Sequence, residues 1–147
     1  MPSEQFTIRR ATPDDADALA HCIDAAYARY QGQITDLPPV SEGCAEEITT
    51  NQVWVVECDG AIIGCLVLAI FGDVLKLANL AVHPEHGGQG IGRKLIELGV
   101  SEARAQGYGE LHLNTHAKMT DNIELYQKLG WVETARQGNT VSMRKRI

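Results

Sequence analysis

Between Leu80 and Leu95 the chain reads Leu80-Ala81-Val82-His83-Pro84-Glu85-His86-Gly87-Gly88-Gln89-Gly90-Ile91-Gly92-Arg93-Lys94-Leu95, an apolar strand that passes through a glycine-dense turn straight into a helix. Such a junction can hold a phosphate. The first four N–H groups of a helix have no partner inside it, and the helix dipole adds partial positive charge at the same end. Gly87, Gly88, Gly90 and Gly92 allow positive φ and remove the Cβ atoms that would hold a pyrophosphate away from those amides. From Glu85 to Arg104 the charges balance, Arg93, Lys94 and Arg104 against Glu85, Glu97 and Glu102, so backbone dipoles would carry most of the binding. A tight turn without a ligand fits the same glycines. A nucleoside-triphosphate loop needs Lys-Ser or Lys-Thr after its last glycine, whereas Gly92 is followed by Arg93-Lys94-Leu95. A dinucleotide fingerprint on Gly88-Gln89-Gly90 would need a small residue where Arg93 stands and an acidic ribose ligand after a second parallel strand.

Two further sets of residues could do chemistry. Asn122 and Tyr126 lie four apart on one helical face and can point at the same spot, although Tyr126, beside Leu125 and Leu129, also reads as a core aromatic. His112 and His116 have a spacing that converges on a metal when it lies on a helix, but Leu111-His112-Leu113 alternates like a strand and has no nearby cysteine or carboxylate. No metal is expected. Cys22, Cys44, Cys58 and Cys65 form no Cys-x-x-Cys pair and read as reduced packing residues.

The elements that must position these groups follow from patterning. Phe6-Thr7-Ile8-Arg9 is a first strand. Thr12 is placed to cap the next helix, with Pro13 at its first position and Asp14 and Asp15 at the positive end of its dipole. That helix reaches about Tyr30, with Leu19, Cys22, Ile23, Ala26, Tyr27 and Tyr30 as its apolar face. A long connection, Gln31 to Gly43, precedes a short helix over Ala45 to Thr50, and loops of that length are usually functional. Val53 to Cys58 and Ala61 to Leu68 form a hairpin around Asp59-Gly60, and Leu75 to Val82 adds a third antiparallel strand. A helix from about Gly90 to Gln106, a strand Leu111 to Asn114, a helix from about Asp121 to Leu129 stopped by Gly130, and strands Trp131 to Thr134 and Thr140 to Arg144 complete a single mixed α/β layer.

At 147 residues, with 44% hydrophobic and 22% charged residues, the chain has the composition of one globular domain, residues 1–147. Neither a long apolar run nor a basic leader is present, which leads to the expectation of a soluble cytoplasmic protein with no membrane partner. A formal charge of −6 argues against a nucleic-acid partner.

Leu80-Ala81-Val82-His83-Pro84 entering Gly87 to Gly92, the downstream Asn122-Ile123-Glu124-Leu125-Tyr126-Gln127-Lys128-Leu129-Gly130-Trp131, and the order of elements together resemble the GNAT superfamily of acyl-CoA N-acyltransferases across nearly the whole chain. The resemblance implies an α/β (α+β) fold with a mixed, mostly antiparallel sheet of about seven strands and about four helices. It implies acetyl-CoA as cosubstrate, with transfer of the acetyl group to a primary amine of a small molecule or peptide in a ternary complex. Leu80, Ala81 and Val82 would meet the pantetheine arm, the Val82 N–H facing the thioester oxygen. Gly87, Gly88, Gln89, Gly90, Ile91 and Gly92, with Arg93 and Lys94, would hold the diphosphate. Asn122 would touch the cofactor, and the Tyr126 hydroxyl would donate a proton to the departing thiolate. Tyr27, Arg29 and Tyr30 are candidate walls of the acceptor site, Asp36, Glu42, Glu46 and Glu47 either favour a cationic amine or form a solvated loop, and a homodimer is the candidate assembly.

The sequence departs from the family's pattern twice. Gly87 stands where Arg or Gln is frequent. The strand reads Leu77-Ala78-Asn79, without the glutamate that relays the amine proton in many relatives. Asn79, holding a water, and His116, with an imidazole pKa of about 6.5, are the candidates left for that proton. A non-catalytic acyl-CoA-binding module is the alternative reading.

Overall fold

The computed structural model describes residues 6–28 and 43–147. Its elements are β1 (Thr7–Arg10), a 3-10 turn (Pro13–Asp15) that runs into α1 (Ala16–Tyr27), α2 (Cys44–Thr50), β2 (Gln52–Cys58), β3 (Ala61–Phe71), β4 (Val74–Val82), a second 3-10 turn (Pro84–His86), α3 (Ile91–Ala105), β5 (Glu110–His116), α4 (Thr120–Lys128), β6 (Val132–Gln137) and β7 (Thr140–Arg146). Among the described residues the strands form one sheet in the order β1-β2-β3-β4-β5-β7-β6. Every neighbouring pair is antiparallel except β4 and β5. No described helix is long and apolar enough to cross a membrane.

Local chemistry accounts for the turns. Asp59 (φ 51°) and Gly60 (φ 81°) both take positive φ, as a two-residue turn matching strand twist requires. Thr12 is the N-cap, with Pro13 following it, of the 3-10 turn that leads into α1, in a capping box with Asp15. The Asp15 carboxylate reaches back, accepting from the Thr12 amide at 2.7 Å and its hydroxyl at 3.3 Å, and also pairs with Arg9 at 2.8 Å. The β3–β4 hairpin is longer than expected, because β3 runs on to Phe71 and turns over Gly72 and Asp73; its tip leaves Ile70 and Phe71 more than half exposed. The four cysteines are free thiols, and all are buried.

The sheet has a core on each face. Leu66, Leu68, Leu75, Leu77, Leu95, Ile96, Leu111 and Met143 pack with Tyr126 and Trp131 under α3 and α4. Leu19, Ile23, Val53, Val55, Cys65, Val67 and Ala81 pack under α1 and α2. Strand β4 contributes to both, and the reason lies in its register. Val67 pairs with Asn79 but Leu68 pairs with Leu77, leaving Ala78 as an extra residue, a β-bulge. Before the bulge Leu75 and Leu77 face α3; after it the parity flips, so Leu80 and Val82 face α3 while Asn79 and Ala81 face α1.

Candidate active site

The strand-to-helix junction is built by its own main chain. His83 Nδ1 accepts the Glu85 amide at 3.2 Å, closing the 3-10 turn that follows Pro84. Gly88 and Gly90 take φ of 78°, and Gly90 is the N-cap of α3. The Lys94 N–H donates to the Gly90 carbonyl at 3.1 Å and makes the first intrahelical bond, so the amides of Ile91, Gly92 and Arg93 point into the loop. No acidic residue occupies the first turn of α3 to neutralise that end. Two of the four glycines do not serve as expected: Gly87 has φ of −66°, and Gly92 is helical. A Cβ on Gly92 would meet Val82 Cγ2 at 3.8 Å and Leu125 Cδ2 at 3.9 Å, ordinary contact with two residues that line the cavity described below.

The strand entering this loop has an open edge. Parallel pairing of β4 with β5 is confined to Leu75 with Leu111 and Lys76 with His112, after which the strands diverge. On its other side β4 stays paired with β3, and the His83 N–H donates to Ile63 O at 2.8 Å. Main-chain direction alternates along an antiparallel ladder, so Ala81 and Asn79 turn their main-chain groups to β3 while Leu80 and Val82 turn theirs into the gap left by β5.

A cavity of about 290 Å³ occupies this gap, lined by Ala26 and Tyr27 of α1, Leu80, Ala81 and Val82 of β4, Pro84, Gly87 and Gly92 of the loop and helix start, and Asn122 and Leu125 of α4. Helices from opposite faces of the sheet thus meet in one slot. The Tyr27 hydroxyl donates to Asn79 Oδ1 at 3.2 Å across the bulge. Tyr126, one residue beyond Leu125, is buried and is not among the residues that line the cavity; its ring lies 5.4 Å from that of Trp131. Burial pushes its phenol well above the ordinary value, and the Tyr27 phenol adds to the shift. Asn122 Nδ2 leans on Met119 Sδ at 3.7 Å.

Other expected residues fall elsewhere. Gln89 and Lys94 are exposed beside the loop, Ile91 is buried against Gly64 so that its amide alone reaches the loop, and Arg93 pairs with Glu97 at 3.1 Å. His116 ends β5, its Nδ1 accepting the Lys118 amide at 3.1 Å, and it does not line the cavity. Glu46 is exposed on α2, while Glu47 bonds Asn51. Arg29, Tyr30, Asp36 and Glu42 lie outside the described residues. A wider hollow of about 600 Å³ between α3 and the end of α4 has none of its lining on β4. Sequence reasoning missed the Tyr27–Asn79 bond, which spans 52 positions, and the bulge; the latter was signalled by apolar spacing that slips from Leu75 and Leu77 to Leu80 and Val82. Leu125 was within reach of reasoning, three residues beyond Asn122 on one helical face.

The slot can hold an extended ligand with an anionic end on the α3 amides and amide groups along its length bonded to the β4 edge. The sequence profile of the acetyltransferase (GNAT) domain matches residues 49–133. The chain is 27% identical over 134 residues to an uncharacterized N-acetyltransferase, YjgM, of Escherichia coli strain K12, covering 84% of this chain and 80% of that one. It is 34% identical over 140 residues to an IAA acetyltransferase of Azospirillum brasilense, covering 90% and 87%. Among solved structures, PaiA N-acetyltransferase of Thermoplasma acidophilum in complex with coenzyme A superposes with a TM-score of 0.87 at 20% identity, over 97% of this chain and 99% of that one.

Proposed function

The chain belongs to the GNAT acetyltransferase family, and from that premise we propose that it moves the acetyl group of acetyl-CoA directly onto a primary amine of a small molecule or peptide, both substrates being bound together. The observation that carries the reading is the open β4 edge leading, within one cavity, to the amides at the start of α3. Those amides, with Gly87 to Gly92, receive the diphosphate; Leu80 and Val82 bond the pantetheine arm as an added strand would. Bound acetyl-CoA supplies an activated thioester carbonyl. The Val82 N–H then stands where negative charge grows on the thioester oxygen, and a fixed donor in a dry slot is worth on the order of 10²-fold in rate. Asn122 steadies the arm from α4, and the Tyr126 hydroxyl supplies a hydrogen bond and proton to the departing sulfur.

The test is an acceptor screen in which acetyl-CoA is mixed with amines, amino acids and peptides and products are followed by mass, with acetyl-CoA binding measured separately by calorimetry. Acetylated product with micromolar binding is expected. Binding without turnover on any acceptor would favour the alternative, a module that binds acyl-CoA without catalysis, toward which the residues Ala78 and Gly87 lean.

A further inference from the structure

Building on Tyr126 as the proposed proton donor, we infer that Trp131 is its positioning residue, an indole that holds the phenol ring in a single orientation before any substrate arrives. The placement begins in the main chain. After Lys128, the last residue of α4, Gly130 takes φ of 94° and the chain doubles back. The Gly130 N–H donates to Gln127 O at 3.1 Å and the Trp131 N–H to Tyr126 O at 3.0 Å, the paired bonds of a Schellman ending, which bring residue 131 back beside residue 126. Lys145 of β7 secures the same end, its ammonium donating to Leu129 O at 2.7 Å.

An apolar contact between those two positions commonly accompanies such an ending, and aliphatic side chains are enough to make it. Here two large rings meet, 5.4 Å between centroids and 60° apart in plane, the tilted arrangement in which the edge of one ring approaches the face of the other. Trp131 is 2% exposed, and its Nε1 is a buried donor without a hydrogen-bond partner among the described residues. Phenylalanine would pack there without sealing in such a donor, so stability alone does not call for an indole. The Tyr126 hydroxyl makes no hydrogen bond among the described residues, which leaves its direction to the packing of its ring. Trp131, immobile in the core, fixes that ring, and the indole N–H offers a positive edge to the electron-rich face of the phenol. A proton donor misplaced by about 1 Å costs on the order of 10²-fold in rate, so a residue that does not line the slot can still set kcat.

The experiment is a cycle of wild type, Trp131→Phe, Tyr126→Phe and the double variant, each as the full chain. They are assayed on an amine that the acceptor screen finds acetylated, with acetyl-CoA affinity by calorimetry, urea midpoints, and Tyr126 ring flips by NMR on isotope-labelled tyrosine. Trp131→Phe is expected to lower kcat about tenfold while acetyl-CoA affinity stays within about threefold, and to change kcat less than about twofold when Tyr126 is already phenylalanine. Its Tyr126 ring should flip faster than in the wild type without acetyl-CoA present, and any loss of urea midpoint should be alike in both backgrounds. Should Trp131→Phe fail to fold, Gly130→Ala takes its place with the same pattern expected, since a Cβ there meets Lys145 Nζ at 2.7 Å and φ of 94° opposes a side chain. Unchanged kcat or unchanged ring flips in the single variant, or an equal fall of kcat in both backgrounds, would overturn the inference and leave the acetyltransferase reading standing. Wild-type kcat in Tyr126→Phe would remove the donor role and the inference together, again without touching that reading. Acetylation of no amine, with acetyl-CoA bound, would overturn all three.

Discussion

Tyr126 is 5% exposed, and its burial both fixes the ring against Trp131 and holds the phenolic proton in place. Because desolvation raises the phenol above its usual value, no alkaline limb from Tyr126 enters an ordinary assay range, and the hydroxyl stays protonated, as the proton donor proposed for it must. Tyr126→Phe should therefore keep acetyl-CoA affinity within a few-fold while kcat falls on the order of 10²-fold, read by calorimetry and steady-state kinetics. Gly92 separates binding from folding. An added methyl meets Val82 and Leu125 at ordinary contact distance, and alanine gains up to about 1 kcal/mol over glycine in a helix. Gly92→Ala should thus melt at the wild-type temperature or slightly above, yet bind acetyl-CoA at least several-fold more weakly, because its methyl stands in the slot. Equal affinity would move the diphosphate away from the start of α3. Gly90 would confuse the test, since φ of 78° strains any branched side chain whether or not a ligand is near.

At the level of elements, the position of β4 depends on what β3 permits beside it. A Cβ on Gly64 would come within 3.2 Å of the Ala81 carbonyl and 3.4 Å of Ile91 Cγ2, one contact on the strand that bears the site and the other on the first residue of α3. The carbonyl belongs to the backbone and cannot swing aside. Gly64→Ala should cost about 1–3 kcal/mol by urea denaturation and weaken acetyl-CoA binding as well, through displacement of Ala81 and Val82. The strand and helix identities were legible in the sequence, because period-2 and period-3.6 apolar patterns and the Asp59-Gly60 turn are local signals. The strand-to-helix junction was legible for the same reason, since every residue that builds it lies within Leu80 to Lys94. Tyr27 meeting Asn79 was not, because it depends on how α1 lies across the sheet, a contact that nothing near either residue encodes. Nor was the division among the glycines, which type alone does not reveal: Gly88 and Gly90 take positive φ, whereas Gly92 is helical.

Across the whole molecule, acid stability should depend on the first strand. Arg9, beside Asp15, holds the carboxylate down to about 2 from an ordinary 3.8, desolvation opposing the shift. A depressed carboxylate contributes its stability above the unfolded value and loses it as pH falls through the folded one, so the pair should weaken between about pH 4 and pH 2. After screening of the partly exposed Arg9, the contribution is about 1–2 kcal/mol. Urea midpoints at pH 5 and pH 2.5 should fall further for the wild type than for Asp15→Asn. The interrupted pairing of β4 with β5 has a consequence of another kind. By order β4 is the fourth of the seven strands among the described residues, with neighbours on both sides, yet over Leu80 to Val82 it has the status of a border strand set inside the sheet. In deuterated water the Leu80 and Val82 amides should exchange far faster than those of Asn79 and Ala81, an alternation with a two-residue beat in the middle of the protein. Saturating acetyl-CoA should erase that beat.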